Sequence, residues 1–261
     1  MEKLRNLAQP IMGKLGGWVN ELAAPMPVKV IEEPEGLRAQ FGQFIPQSLM
    51  VGKCVRAVSG IRAALTLADL GYVTECAALL RMVSDFCTEI RAVGAALHLG
   101  DEAPSEVRTF VEQYFVERAR SADELAAQER IRYVSREALV KAQGRLAEDS
   151  FASDKARVWG QEVQKARRFL NMTFDAYVHG ASETALELYN PATRRFMVGG
   201  DTTTGQRREH ADMVYLKLHE VVTALEITAS CTAHEAVYSA TREARRSLDA
   251  AGASAKSAFA Q

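Results

Sequence analysis

The chain has 261 residues, enough for one large domain or two small ones, and 48% of them are hydrophobic, which supports a sizeable core and excludes disorder over most of the length. Lys and Arg number 32 against 33 acidic residues, so net charge gives no general affinity for nucleic acid or membranes, and any basic surface must be local. No run of about 18 uninterrupted apolar residues occurs, and the start, Met1-Glu2-Lys3-Leu4-Arg5, leads into a periodic pattern instead of a secretory signal. The expectation is a cytoplasmic protein without membrane association.

In chain order, residues 1–23 predict an amphipathic helix, with Leu4, Leu7, Ala8, Ile11, Leu15, Trp18, Val19 and Leu22 recurring at helical spacing. Such a face must be buried on its own domain or across a dimer. Residues 24–47 contain Pro25, Pro27, Pro34 and Pro46 and read as a Pro-rich linker holding at most a short strand over 28–31. Residues 48–70 and 73–98 predict two long helices broken at Leu70-Gly71, where Gly supplies a stop. Pro104 suits the first turn of a helix over about 105–127. A more polar helix over 131–148 follows, then helices over 155–178 and 182–189. Residues 190–205 form a loop in which 195–200 has the character of a small hairpin. A last helix runs from Arg208 to Arg246, and its length without a break suggests coiling against a partner. The fold class expected is all-α: an antiparallel bundle of about five to seven helices over 48–250, preceded by the amphipathic helix and followed by a flexible tail over 251–261.

Four cysteines, Cys54, Cys76, Cys87 and Cys231, lie inside apolar helical patterns at spacings that match no zinc motif. Cys76 and Cys87 would stand about 16 Å apart on one unbroken helix, which excludes a disulfide between them. No Glu-x-x-His pair, no His-Glu-x-x-His and no Gly-x-Ser-x-Gly occurs, so neither a metal nor a cofactor is expected.

Two polar groups stand out. Arg168, Met172, Asp175 and His179 share one face of the 155–178 helix and its end, opposite a stripe of Trp159, Val163, Ala166, Leu170, Thr173 and Tyr177. Arg81, Asp85 and Glu89 stand at four-residue steps on an otherwise apolar helix, where they read either as an ion pair fixing helix register or as the carboxylate that orients His179. The candidate catalytic residues are His179, Arg168, Arg81 and Asp85. Asp175, Tyr177, Arg194 and Arg195 are the candidate ligand-binding residues, and the basic residues around them would form a local anion patch if they converge.

The pattern Leu79-Leu80-Arg81-x-x-x-Asp85, followed by Tyr177-Val178-His179-Gly180, resembles a group of uncharacterised all-α bacterial proteins that are similar in turn to the HEPN superfamily of abortive-infection and toxin proteins. The resemblance implies a helical bundle that usually dimerises. It also implies metal-free RNA cleavage by an arginine and a histidine at a cleft between protomers. The chain departs from the family signature, because Arg168 lies farther upstream of His179 than the family sets its arginine. Two readings follow. One is a non-catalytic helical interaction or regulatory protein of a bacterial cell, in stress or phage defence, with a homodimer or a helical protein as partner. The other is a HEPN-like metal-independent ribonuclease or nucleotide-binding protein using His179 and an arginine, with RNA or a nucleotide as partner. A ligand-binding bundle would show instead an enclosed apolar cavity with a few converging polar groups.

Overall fold

A computed structural model describes residues 2–33, 36–100, 104–115, 138, 188–190, 194–196, 199–200 and 202–259. The order of elements is α1 (Glu2–Ala23), β1 (Val28–Glu33), β2 (Gly36–Phe41), α2 (Pro46–Leu70), α3 (Val73–Leu99), α4 (Ser105–Tyr114), β3 (Tyr189–Asn190), β4 (Arg195–Phe196), α5 (Thr204–Cys231) and α6 (Glu235–Phe259). The fold is an all-α bundle, as the periodicity predicts. Helices α2, α3 and α5 pack on one another, α6 lies on α5 and α1, and α1 also touches α2 and α5.

The amphipathic face of α1 is consumed by this packing. Ala8, Ile11, Met12, Leu15, Trp18, Val19 and Leu22 are all buried and belong to the same core as Leu49, Ile61, Leu80, Ile90, Leu218 and Leu225. Each fully buried Leu or Ile stabilises the fold by roughly 1.5–3 kcal/mol relative to exposure. The first helix is therefore part of the bundle, joined to it by a segment with its own structure. Within the Pro-rich stretch, β1 is longer than the short strand expected and pairs antiparallel with β2, in a register from Val28 opposite Phe41 to Glu33 opposite Gly36. The Gly42 N–H donates to the Pro27 carbonyl and closes the base of the hairpin.

The turn between α2 and α3 lies where Gly71 predicts it. Gly71 has φ +88° and ends α2 in a Schellman arrangement, in which its N–H donates to Ala68 and the Tyr72 N–H donates to Leu67. A Cβ at Gly71 would collide with the Gly200 carbonyl, so glycine serves both the backbone angle and the close approach. The Thr202 hydroxyl donates to the Gly71 carbonyl at 2.9 Å, and Arg207 donates to the carbonyls of Gly200 and Thr202, which fastens the entry of α5 to this turn. Thr203 and Gln206 then start α5 with a reciprocal capping box.

One expectation is overturned. The single helix predicted from Arg208 to Arg246 is two helices, broken at 232–234. The physical reason is a second Schellman arrangement whose left-handed residue is an alanine: Ala233 has φ 54°, and the His234 N–H donates to the Ala229 carbonyl at 2.9 Å. With neither Gly nor Pro present, the stop leaves no ordinary mark in the sequence. The turn lets α6 fold back on α5, a neighbour within the same chain that takes the place of the coiling partner expected. The helix predicted over 155–178 falls outside the described residues, as do 131–148 apart from Ala138, 182–189 apart from its last two residues, and 105–127 beyond Phe115; the end predicted at Tyr189 is corrected, because Tyr189 pairs with Phe196 in β3.

Ala233→Gly is expected to stabilise the protein by about 1 kcal/mol, because it relieves the left-handed strain at no loss of buried side chain. Urea denaturation measures this. A loss of stability would contradict the αL stop.

Candidate functional site

The charged stripe of α3 divides between two uses. The buried Arg81 guanidinium donates to Asp85 one turn on, and Glu89 pairs with Lys53 of α2 at 2.7 Å. The Lys53 ammonium also sits over the rings of Phe86, Phe110 and Tyr114, at 5.1–5.9 Å from their centroids. Arg81 and Asp85 thus pair one turn apart within α3. Arg194 and Arg195 are exposed, Arg194 just before β4 at φ 56° and Arg195 within β4. His179, Arg168, Asp175 and Tyr177 lie outside the described residues, so a contact of Asp85 with His179 does too.

A second polar group lies deeper, where α3 crosses α5. Lys217 donates to Ser84 Oγ at 2.7 Å and to Glu220 Oε1 at 3.0 Å, and Ser84 Oγ donates to Glu220 Oε2 at 3.2 Å. The three side chains close a triangle. The serine hydroxyl accepts from the lysine and gives its proton to the carboxylate, so the group cross-links two helices.

Arg91, two turns beyond Ser84 on α3, approaches this triangle without joining it. Its Nη2 lies 3.8 Å from Glu220 Oε2, beyond hydrogen-bond reach, and Nε, Nη1 and Nη2 have no hydrogen-bond acceptor although the side chain is only 8% exposed. Arg91 is among the residues that line a cavity of about 750 Å³ between the second half of α3, the second half of α5 and the first half of α6. Gly94, Ala95, Leu97, Ile227 and Cys231 supply an apolar lining, and Gln47, Thr223, Ser230 and Tyr238 bring polar groups. The glycine is required here: a Cβ at Gly94 would collide with the Ile227 side chain. On the α6 side, Arg245 holds Glu226 through two hydrogen bonds, at 2.5 and 3.3 Å, and this bond to Glu226 is the main reason its guanidinium is raised above its usual pKa.

Sequence spacing singles out none of Arg91, Lys217, Glu220 or Ser84. A signal exists for Arg91, the one charge in the run from Ile90 to Leu97, but the partners on α5 are brought to α3 only by the fold.

Covalent thiol chemistry is disfavoured. Burial pushes Cys54, Cys76 and Cys87 up to about 12, and burial raises Cys231 as well. All four are free thiols. Among the described residues no cluster of three or more His, Cys, Asp or Glu side chains could hold a metal ion, and no helix is long and apolar enough to cross a membrane.

No family model matches the chain, and neither a curated protein nor a solved structure matches it.

The buried thiols give stability a pH dependence of known sign. Their folded pKa lies above the unfolded one, so the unfolded chain ionises first and the folded state loses stability between about pH 9 and 12. Cys87→Ala is expected to flatten this decline by on the order of 1 kcal/mol per pH unit in that window. Urea midpoints compared at neutral and alkaline pH test it, and identical slopes in variant and wild type would contradict it.

Proposed function

We propose that the protein is a non-catalytic interaction or regulatory module whose docking element is the β1–β2 hairpin. The supporting observation is a largely apolar hairpin face turned to solvent. Alternation along β1 and the register with β2 put Val28, Val30, Leu37 and Ala39 on one face of the ladder, with Glu32 opposite Leu37 as its one charge, and Val28, Val30 and Leu37 are 55%, 65% and 73% exposed. The sheet has only two strands, so each strand also has an edge without a ladder partner among the described residues. Isolated two-stranded hairpins are marginal, and open edges with an apolar face favour strand addition. A second copy of the same hairpin satisfies both needs at once, because edge meets edge and apolar face meets apolar face. The partner proposed is therefore another copy of this chain.

The docking surfaces first expected from periodicity, α1 and the last helix, are spent internally: the α1 stripe is buried, as are Val237, Leu248 and Ala251 of α6. Among the described residues the hairpin carries the two most exposed large hydrophobic side chains, Leu37 and Val30. Dimerisation also agrees with the resemblance to HEPN-like proteins, from which the bacterial setting in stress or phage defence is taken. The ribonuclease alternative depends on His179 and Arg168. Its other arginine, Arg81, is buried and engaged by Asp85, a structural use that favours the non-catalytic reading.

Wild-type protein is expected to sediment as a dimer at micromolar concentration. Val30→Glu combined with Leu37→Glu should leave the circular dichroism spectrum unchanged and give a monomer. A wild type that is monomeric at high concentration, or a variant that still dimerises, would overturn the proposal.

A further inference from the structure

We infer that the cavity between α3, α5 and α6 is a binding site for a small amphipathic carboxylate whose headgroup is held by Arg91. The inference is independent of the hairpin. It starts from the hydrogen bonds around the cavity. Glu220 bonds Lys217, Glu226 bonds Arg245, each within 3.3 Å, and Arg245 also bonds Asp249 at 3.2 Å. Arg91 stands 3.8 Å from Glu220, and its three nitrogens have no hydrogen-bond acceptor among the described residues. A buried cation in this condition costs several kcal/mol, and a protein that gained nothing from it would carry an apolar residue there.

The lacking group has definite properties. It must be an anion, to answer the guanidinium. One negative charge suffices, and a second would meet the carboxylates of Glu220 and Glu226. A planar carboxylate matches the guanidinium fork with two parallel hydrogen bonds. The rest of the ligand must be largely apolar, because Gly94, Ala95, Leu97, Ile227 and Cys231 line the space beyond Arg91. A volume of about 750 Å³ falls in the range of small-molecule sites, roughly 300–1,000 Å³. Thr223, Ser230 and Tyr238 lie on the wall and can receive a polar substituent on the ligand.

The test is titration calorimetry of the full chain with octanoate, and with 1-octanol, octylammonium and octyl phosphate as probes of the headgroup. Octanoate is expected to bind saturably at one site per chain, ahead of all three other probes. Arg91→Met, an uncharged side chain of similar length, should weaken octanoate by about tenfold or more. Ala95→Phe, which puts a ring into the cavity and alters no charge, should weaken octanoate measurably and keeps the test open if Arg91→Met does not fold. Four results would overturn the inference: no saturable heat with octanoate, equal affinity for octanol, undiminished binding by either variant, or tighter binding of octyl phosphate.

Discussion

Burial of charge in the α3–α5 seam is the constraint around which the bundle is arranged. The two helices meet through Ala, Val, Leu and Cys side chains, yet they carry Arg91, Lys217 and Glu220 into the contact, with Ser84 between them. Moving each ion out of water costs several kcal/mol, and attraction offsets that only where hydrogen bonds are completed. The Lys217–Ser84–Glu220 triangle completes them and ties α3 to α5 at one register. Arg91 reaches Glu220 only at 3.8 Å, so the seam is hydrogen-bonded at one end and short of acceptors at the other. That second end is where the cavity lies.

The remaining packing keeps that cavity in place. Gly94 brings the backbone of α3 close enough to α5 for Ile227 to lie against it, and the space opens on the far side of that contact. The reversal at Ala233 returns α6 along α5, which places Tyr238 and Arg245 on the cavity wall. Gly71 and Gly200, fastened by Thr202 and Arg207, fix how α5 enters the bundle. Hydrogen bonds therefore fasten the entry of α5 and a turn reverses the chain at its end, and the amphipathic first helix seals the core from another side through Leu15 and Leu22.

Much of this was legible in the residues alone, for a physical reason. Helical periodicity reports which face is buried, so α1, α2 and α3 follow from it, and Gly71 marks a left-handed stop because glycine adopts it at little cost. Ala233 adopts the same conformation without announcing it, so the division of α5 from α6 stayed hidden. The hairpin was half visible: Val28 and Val30 alternate with polar neighbours, but four prolines argue for loop, and ladder formation at 28–41 depends on pairing that no local rule reports. At the site, the four-residue ladder of Arg81, Asp85 and Glu89 draws attention to a structural ion pair. Arg91 belongs to no such ladder, and its relation to Glu220 exists only in three dimensions.

A buried arginine kept for binding and one kept for structure differ in sign. The most direct measurement is the unfolding free energy of ligand-free Arg91→Met against wild type, by urea denaturation at neutral pH. An arginine held without acceptors predicts that the variant is more stable, by about 1–4 kcal/mol, since removal of a buried charge whose hydrogen bonds are not made relieves its desolvation. A loss of about 3–5 kcal/mol, the cost of breaking a buried ion pair, would show that Glu220 and Arg91 hold the bundle together and would contradict the account.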